Sequence, residues 1–162
     1  LNKINRGHTL AEFIESVLDI KKYGFKTCTH MILNLPWDDI TDCIEGAKIL
    51  SVLGVDFVKL HSLYIAENTV MAQQYKNGDF EICSLDEYTK RVATFIRYLS
   101  PKQYLERIVS RAPKENTLFA NWDRSSWYVR DYIENYMREE GYCQSQLCGY
   151  MGGSALDVFF NN

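Results

Sequence analysis

Two stretches of this chain repeat one hydrophobic rhythm. In the first, Leu10, Phe13, Ile14, Val17 and Leu18 fall at helical spacing, and Gly24 offers a left-handed stop. Thr9-Leu10-Ala11-Glu12 reads as a capping box, which predicts a helix over 9–23. Phe25 to Leu33 then reads as a strand, closed by Pro36. In the second, Ile40, Cys43, Ile44, Ala47 and Leu50 form a stripe that begins at Asp38 or Asp39 and ends at Gly54. Val55 to Ile65 follows as a strand. Gly24 and Gly54 lie 30 positions apart, and His30 and His61 lie 31 apart. Tandem helix–strand units of this length predict one parallel sheet. In such folds the C-terminal ends of the strands carry the chemistry, so both histidines should reach one rim.

The second strand puts Phe57, Lys59, His61 and Leu63 on one face and Val58, Leu60, Ser62 and Tyr64 on the other. A face that holds a lysine and a histidine should meet water or a ligand. Beyond it, 68–78 reads as a connection with one turn of helix. Ser84-Leu85-Asp86-Glu87 reads as a second capping box, opening a helix through Leu99 that stops before Pro101. Tyr104 to Val109 suggests a further strand, 112–122 a loop, and Trp127 to Glu140 a helix closed by Gly141. The stretch 141–162 has no period and is expected to be mobile or to pack on a neighbour. Two βα units cannot close a barrel. They leave a parallel edge with unpaired N–H and C=O groups. The chain's own N-terminal half, or a second copy, should cover that edge. The start at Leu1 fits the same expectation of a fragment.

Composition narrows the choice of function. The chain has 162 residues, of which 46% are hydrophobic, enough for one domain with a substantial core. A net charge of −3 and a pI near 5.6 argue against an autonomous basic nucleic-acid binder, though not against a local patch. No apolar run approaches the roughly 18 residues of a membrane span, and no signal peptide is read. A cytoplasmic protein is expected. The five cysteines are odd in number and irregular in spacing, which points to reduced thiols rather than a disulfide framework.

Three motifs carry candidate chemistry: Asn5-Arg6-Gly7-His8-Thr9, Thr29-His30-Met31-Ile32-Leu33-Asn34-Leu35-Pro36, and Val58-Lys59-Leu60-His61. In order and spacing they resemble the radical SAM superfamily. Within it they resemble the YhcC/YtqA-like branch, which is related to the elongator catalytic subunit and to oxygen-independent coproporphyrinogen oxidase. The resemblance runs from Leu1 to about Glu140. It implies an α/β fold: the C-terminal half of a partial (β/α)6 TIM-like barrel over 1–100, a C-terminal extension with a helix over 101–140, and an irregular tail over 141–162. It also implies S-adenosylmethionine and a [4Fe-4S] cluster that together give a 5′-deoxyadenosyl radical. The family holds that cluster on a Cys-x3-Cys-x2-Cys loop. No such spacing occurs here, so no metal ligands are assigned, and the chain alone is expected to be inactive. Asn34-Leu35-Pro36 stands where the family has Gly-Leu-Pro.

By resemblance, Arg6 meets the carboxylate of S-adenosylmethionine and His30 its ribose. Lys59 and His61 point into the barrel toward cofactor or substrate. Trp37, at the rim, offers a ring for adenine or a substrate base. His8 is expected to cap or pack. Trp122, Trp127, Tyr128 and Tyr132 gather beside Arg124 and Arg130 as core packing or an RNA-facing surface. Relatives include tRNA wobble-uridine modifiers, so tRNA is the partner suggested. The alternatives are a non-catalytic binding or assembly module that retains half of the barrel, and a hydrolase using His30 and His61 on zinc, for which no third ligand is placed.

Overall fold

In the computed structural model, residues 6–113 and 115–152 are described. Helix α1 (Leu10–Lys22) begins at Thr9, whose hydroxyl accepts from the Glu12 N–H while the Glu12 carboxylate accepts from the Thr9 N–H. Strand β1 (Cys28–Ile32) follows, and helix α2 (Ile40–Val52) is capped in the same reciprocal way by Asp39 and Asp42. Strand β2 (Phe57–His61) pairs with β1 in parallel, from Cys28 opposite Phe57 to Ile32 opposite His61. Strand β4 (Tyr104–Arg107) lies parallel on the other side of β2, giving the order β1-β2-β4. Asp56 fixes the start of the pair: its carboxylate accepts from the Thr27 N–H at 2.9 Å and from Lys26 Nζ at 2.7 Å.

The convex face of this sheet forms the core. Val58 and Leu60 are fully buried there, in one cluster with Val17 of α1, Ala47 and Leu50 of α2, and Phe95 of helix α4 (Leu85–Tyr98). Helices α1 and α2 therefore feed one core, as successive right-handed units require. Helix α5 (Ser126–Glu139) adds Val129 and Ile133 to the same core. A buried polar knot places β4: Gln103 donates to the Leu50 carbonyl and accepts from Ser51 Oγ, which in turn accepts from the Ser100 N–H.

The structure departs from the expected elements in five places. The strand over 55–65 is broken in two. The side chain of Asn34 accepts from the Leu63 N–H at 2.6 Å and intercepts the ladder, so strand β3 (Tyr64–Ala66) turns away. It pairs antiparallel with strand β5 (Thr117–Ala120), which lies where a loop was expected; four residues of mixed character give no readable period. The connection over 68–78 holds a full helix α3 (Val70–Asn77) capped by Thr69. At Ser84 only the forward half of the capping box forms: the hydroxyl accepts from the Glu87 N–H, and the Glu87 carboxylate is held by Arg91 at 3.1 Å. The tail, where described, packs on its own chain. Ser145 and Leu147 donate backbone N–H bonds to the carbonyls of Ile96 and Arg97. Residues 1–5, 114 and 153–162 lie outside the described structure, and so does the expectation for the end of the tail.

Candidate functional site

The concave face of the sheet carries its polar side chains between apolar neighbours. Alternation places Cys28, His30 and Ile32 of β1 and Phe57, Lys59 and His61 of β2 on this side. The rings of His30 and His61 stack with centroids 4.9 Å apart and planes 20° from parallel. Lys59 Nζ lies 3.1 Å from the Glu106 carboxylate of β4. The other carboxylate oxygen of Glu106 is 3.8 Å from Cys28 Sγ. Three neighbouring strands thus contribute a thiol, a carboxylate, an ammonium and two imidazoles to one surface.

His61 is the electrostatically distinct member. Its Nε2 is buried and makes no hydrogen bond. Burial holds its pKa below the ordinary histidine value, and the charges of His30, Arg107 and Lys59 push the same way. At neutral pH it is an uncharged imidazole with one ring nitrogen unpartnered. Beneath the turn after β1, Asn34 leaves its Nδ2 buried and unpartnered while its oxygen clips Leu63. Arg91 reaches the Leu33 carbonyl from α4 at 3.5 Å. Burial raises the pKa of nearby Asp38, and Asp42 adds to the effect while Arg91 opposes it. Burial also pushes the Cys43 thiol up to about 12, which makes it an inert core group.

The residues expected at the site separate into three groups. His30, His61 and Lys59 share the concave face. Arg6 lies with His8 and His30 in a groove of about 860 Å³ that runs along the free edge of β1, between the start of α1 and Gly46 and Ile49 of α2. This groove touches both faces of β1, through Cys28 and His30 on one side and Thr29 and Met31 on the other. Trp37 stands apart from both groups, edge-on to Phe80 at 5.8 Å and 38% exposed. Glu106, Cys28 and Asn34 went unassigned from sequence. The alternation of Tyr104-Leu105-Glu106-Arg107 was the available signal for Glu106; nothing in the sequence marked Asn34 as a clip. Among the described residues no group of three His, Cys, Asp or Glu side chains is arranged to hold a metal ion.

Comparison with known proteins gives this arrangement a family. The Radical_SAM C-terminal domain model matches residues 55–139, just over half of the chain. The chain belongs to the radical SAM family. It is 30% identical over 144 residues to the uncharacterized protein YtqA of Bacillus subtilis, and 29% identical over 147 residues to YhcC of Escherichia coli K12. These matches take in 89% and 91% of this chain but 45% and 48% of the relatives, so the chain spans about half the length of the curated relatives it matches. Its fold is similar to that of the archaeal Methanocaldococcus infernus Elp3 with an N-terminal deletion, at a TM-score of 0.77 and 18% identity. That match covers 89% of this chain and 34% of the archaeal one. No helix among the described residues is long and apolar enough to cross a membrane.

Proposed function

We propose that this chain is the cofactor-facing C-terminal half of a partial (β/α)6 radical SAM barrel in a cytoplasmic enzyme, with a tRNA wobble uridine as substrate. One observation carries the reading: Arg6 and His30 line a single groove, and His30, on the adjoining sheet face, stacks on an uncharged His61 whose Nε2 has no partner. S-adenosylmethionine supplies the adenosyl group from which the family's radical comes. The residues present suit it. A planar guanidinium at Arg6 can grip a carboxylate through two parallel bonds. The imidazoles of His30 and His61 can donate to, or accept from, ribose hydroxyls. Lys59, held by Glu106, can meet an anionic group at the floor. The cysteines do not suit an iron–sulfur cluster, since no Cys-x3-Cys-x2-Cys spacing occurs. The unpaired backbone edge of β1 is where a neighbouring strand would add, from an N-terminal half or a second copy, closing one side of the groove.

The test is binding and turnover with an N-terminal half that carries the family's cysteine loop supplied in trans. The mixture is expected to turn brown on anaerobic reconstitution, bind S-adenosylmethionine and release 5′-deoxyadenosine; the chain alone stays colourless and releases none. Arg6→Ala should weaken cofactor binding by about 1.5–3 kcal/mol, the worth of a charge-assisted contact, and His30→Ala by less. Unchanged binding in Arg6→Ala would remove that residue from the site. The cysteine pattern favours one rival, an assembly module retaining half of the barrel. It would be supported if the supplemented chain bound no S-adenosylmethionine.

A further inference from the structure

The free edge of β4, opposite the cofactor-facing edge, carries a second groove that the reading above leaves unused. It has a volume of about 620 Å³, and Leu105 to Val109 form one wall. Arg111, Trp127, Arg130 and Glu134 form the other. Trp127 is 56% exposed although it is the largest side chain there. The guanidinium carbons of Arg130 and Arg111 lie 4.6 Å and 5.8 Å from its ring centroid. Along α5 a second aromatic row stands beside it. Tyr128 and Tyr132 stack at 6.1 Å, and Arg124 lies 5.2 Å from the Tyr128 ring.

Charge decides what such a surface can hold. Asp131 and Glu134 neutralise Arg130, and Lys59 takes the charge of Glu106. Arg107, Arg111 and Arg124 have no carboxylate within ion-pair distance among the described residues. Three unopposed guanidinium groups around exposed rings, in a chain of net charge −3, make a local anion-binding strip. Flat rings that alternate with cations suit a ligand in which flat apolar groups alternate with anions. Single-stranded nucleic acid is built that way: bases stack on aromatics and phosphates meet arginines. An acidic peptide has no matching ring planes, and an anionic bilayer would press against Asp131 and Glu134. The groove also adjoins the concave face. Glu106 lines it while binding Lys59, and the charge of Arg107 acts on His61.

We propose that this groove grips an unpaired RNA segment and lays one of its bases toward the His61–Lys59 face. The choice of RNA rests on the proposed substrate; the grip itself does not depend on S-adenosylmethionine chemistry. The experiment is fluorescence anisotropy of the whole chain with a labelled, unstructured RNA of about ten nucleotides. A duplex RNA of equal charge, polyglutamate and anionic phospholipid vesicles serve as competitors. Trp127→Ala should weaken binding by roughly tenfold, as loss of one base stack does, while Trp127→Phe keeps most of it. Arg107→Ala and Arg111→Ala should each lower the slope of log affinity against log salt by about 0.7, one phosphate contact on a single strand. Equal competition by the duplex, by polyglutamate or by vesicles overturns the assignment. So does unchanged affinity in a Trp127→Ala/Arg111→Ala chain that remains folded by circular dichroism. Cofactor binding, measured with the N-terminal half in trans, separates the two proposals. Loss of RNA binding alone overturns the groove, and loss of cofactor binding alone overturns the radical SAM reading.

Discussion

At the scale of single residues, the histidine stack makes a pH claim whose sign is fixed. His61 has a lowered pKa in the folded chain, so below the ordinary histidine value the unfolded chain binds the proton more readily. Stability should therefore fall as pH drops through about 6.5 and level off beneath the folded pKa. His61→Phe should flatten that acid limb, and an NMR titration should show His61 titrating below free histidine. His30→Ala should move the His61 pKa upward, because it removes both a charge and a covering ring. Asn34 makes a different claim. Replacing it with alanine leaves the buried Leu63 N–H without its acceptor. The expected loss is about 1–3 kcal/mol, read as a lower urea midpoint with an unchanged slope. Asn34 also bounds what the sequence revealed. His30, Lys59 and His61 were legible because strand alternation fixes a side chain's face. Asn34 was not, because it acts on an element 29 positions away, whereas the face of Glu106 was open to the same alternation and only its partners were hidden.

At the scale of elements, caps and periods were legible and interruptions were not. Thr9 caps as read, because a capping box is a local sequence feature, and of the two starts open for α2 the structure takes Asp39. Ser84→Ala should cost about 1 kcal/mol, since α4 lies in the core and its cap depends on that hydroxyl alone. The break between β2 and β3 was invisible because it is made by Asn34 and by Asn121, which binds Ser62 from the far end of the chain. Asn121, Trp122 and Asp123 form a short left-handed turn with φ between +48° and +58°. Such backbone is unfavourable for side-chain-bearing residues. The first two are committed, since Asn121 holds Ser62 and the Trp122 indole donates to the Cys83 carbonyl. The Asp123 side chain makes no hydrogen bond among the described residues, so Asp123→Gly should relieve strain and stabilise the fold by up to about 1 kcal/mol, seen as a higher melting temperature.

At the scale of the whole molecule, the sheet has two edges that no described residue pairs, with different surroundings. The β1 edge faces a mostly apolar groove, and the β4 edge faces arginines and a tryptophan. An exposed parallel edge is a template for association. The chain alone should therefore self-associate in light scattering as concentration rises, and hydrogen exchange should slow across 28–33 in the associated form. A supplied N-terminal half should suppress both effects. The tail leads to a point about where this domain ends. The Radical_SAM C-terminal domain match ends at residue 139, at the last turn of α5. The folded unit does not stop there: Tyr142 stacks under the Arg97 guanidinium at 3.9 Å, Gln146 accepts from the same arginine, and Ser145 and Leu147 take up carbonyls at the end of α4. A truncation drawn at the end of that match would leave the principal core helix frayed at its C-terminus. Removing 142–152 should cost on the order of 2–4 kcal/mol and lower the melting temperature by roughly 5–15 °C. A protease acting on the native chain should accordingly spare the 139–141 junction, where the domain match ends.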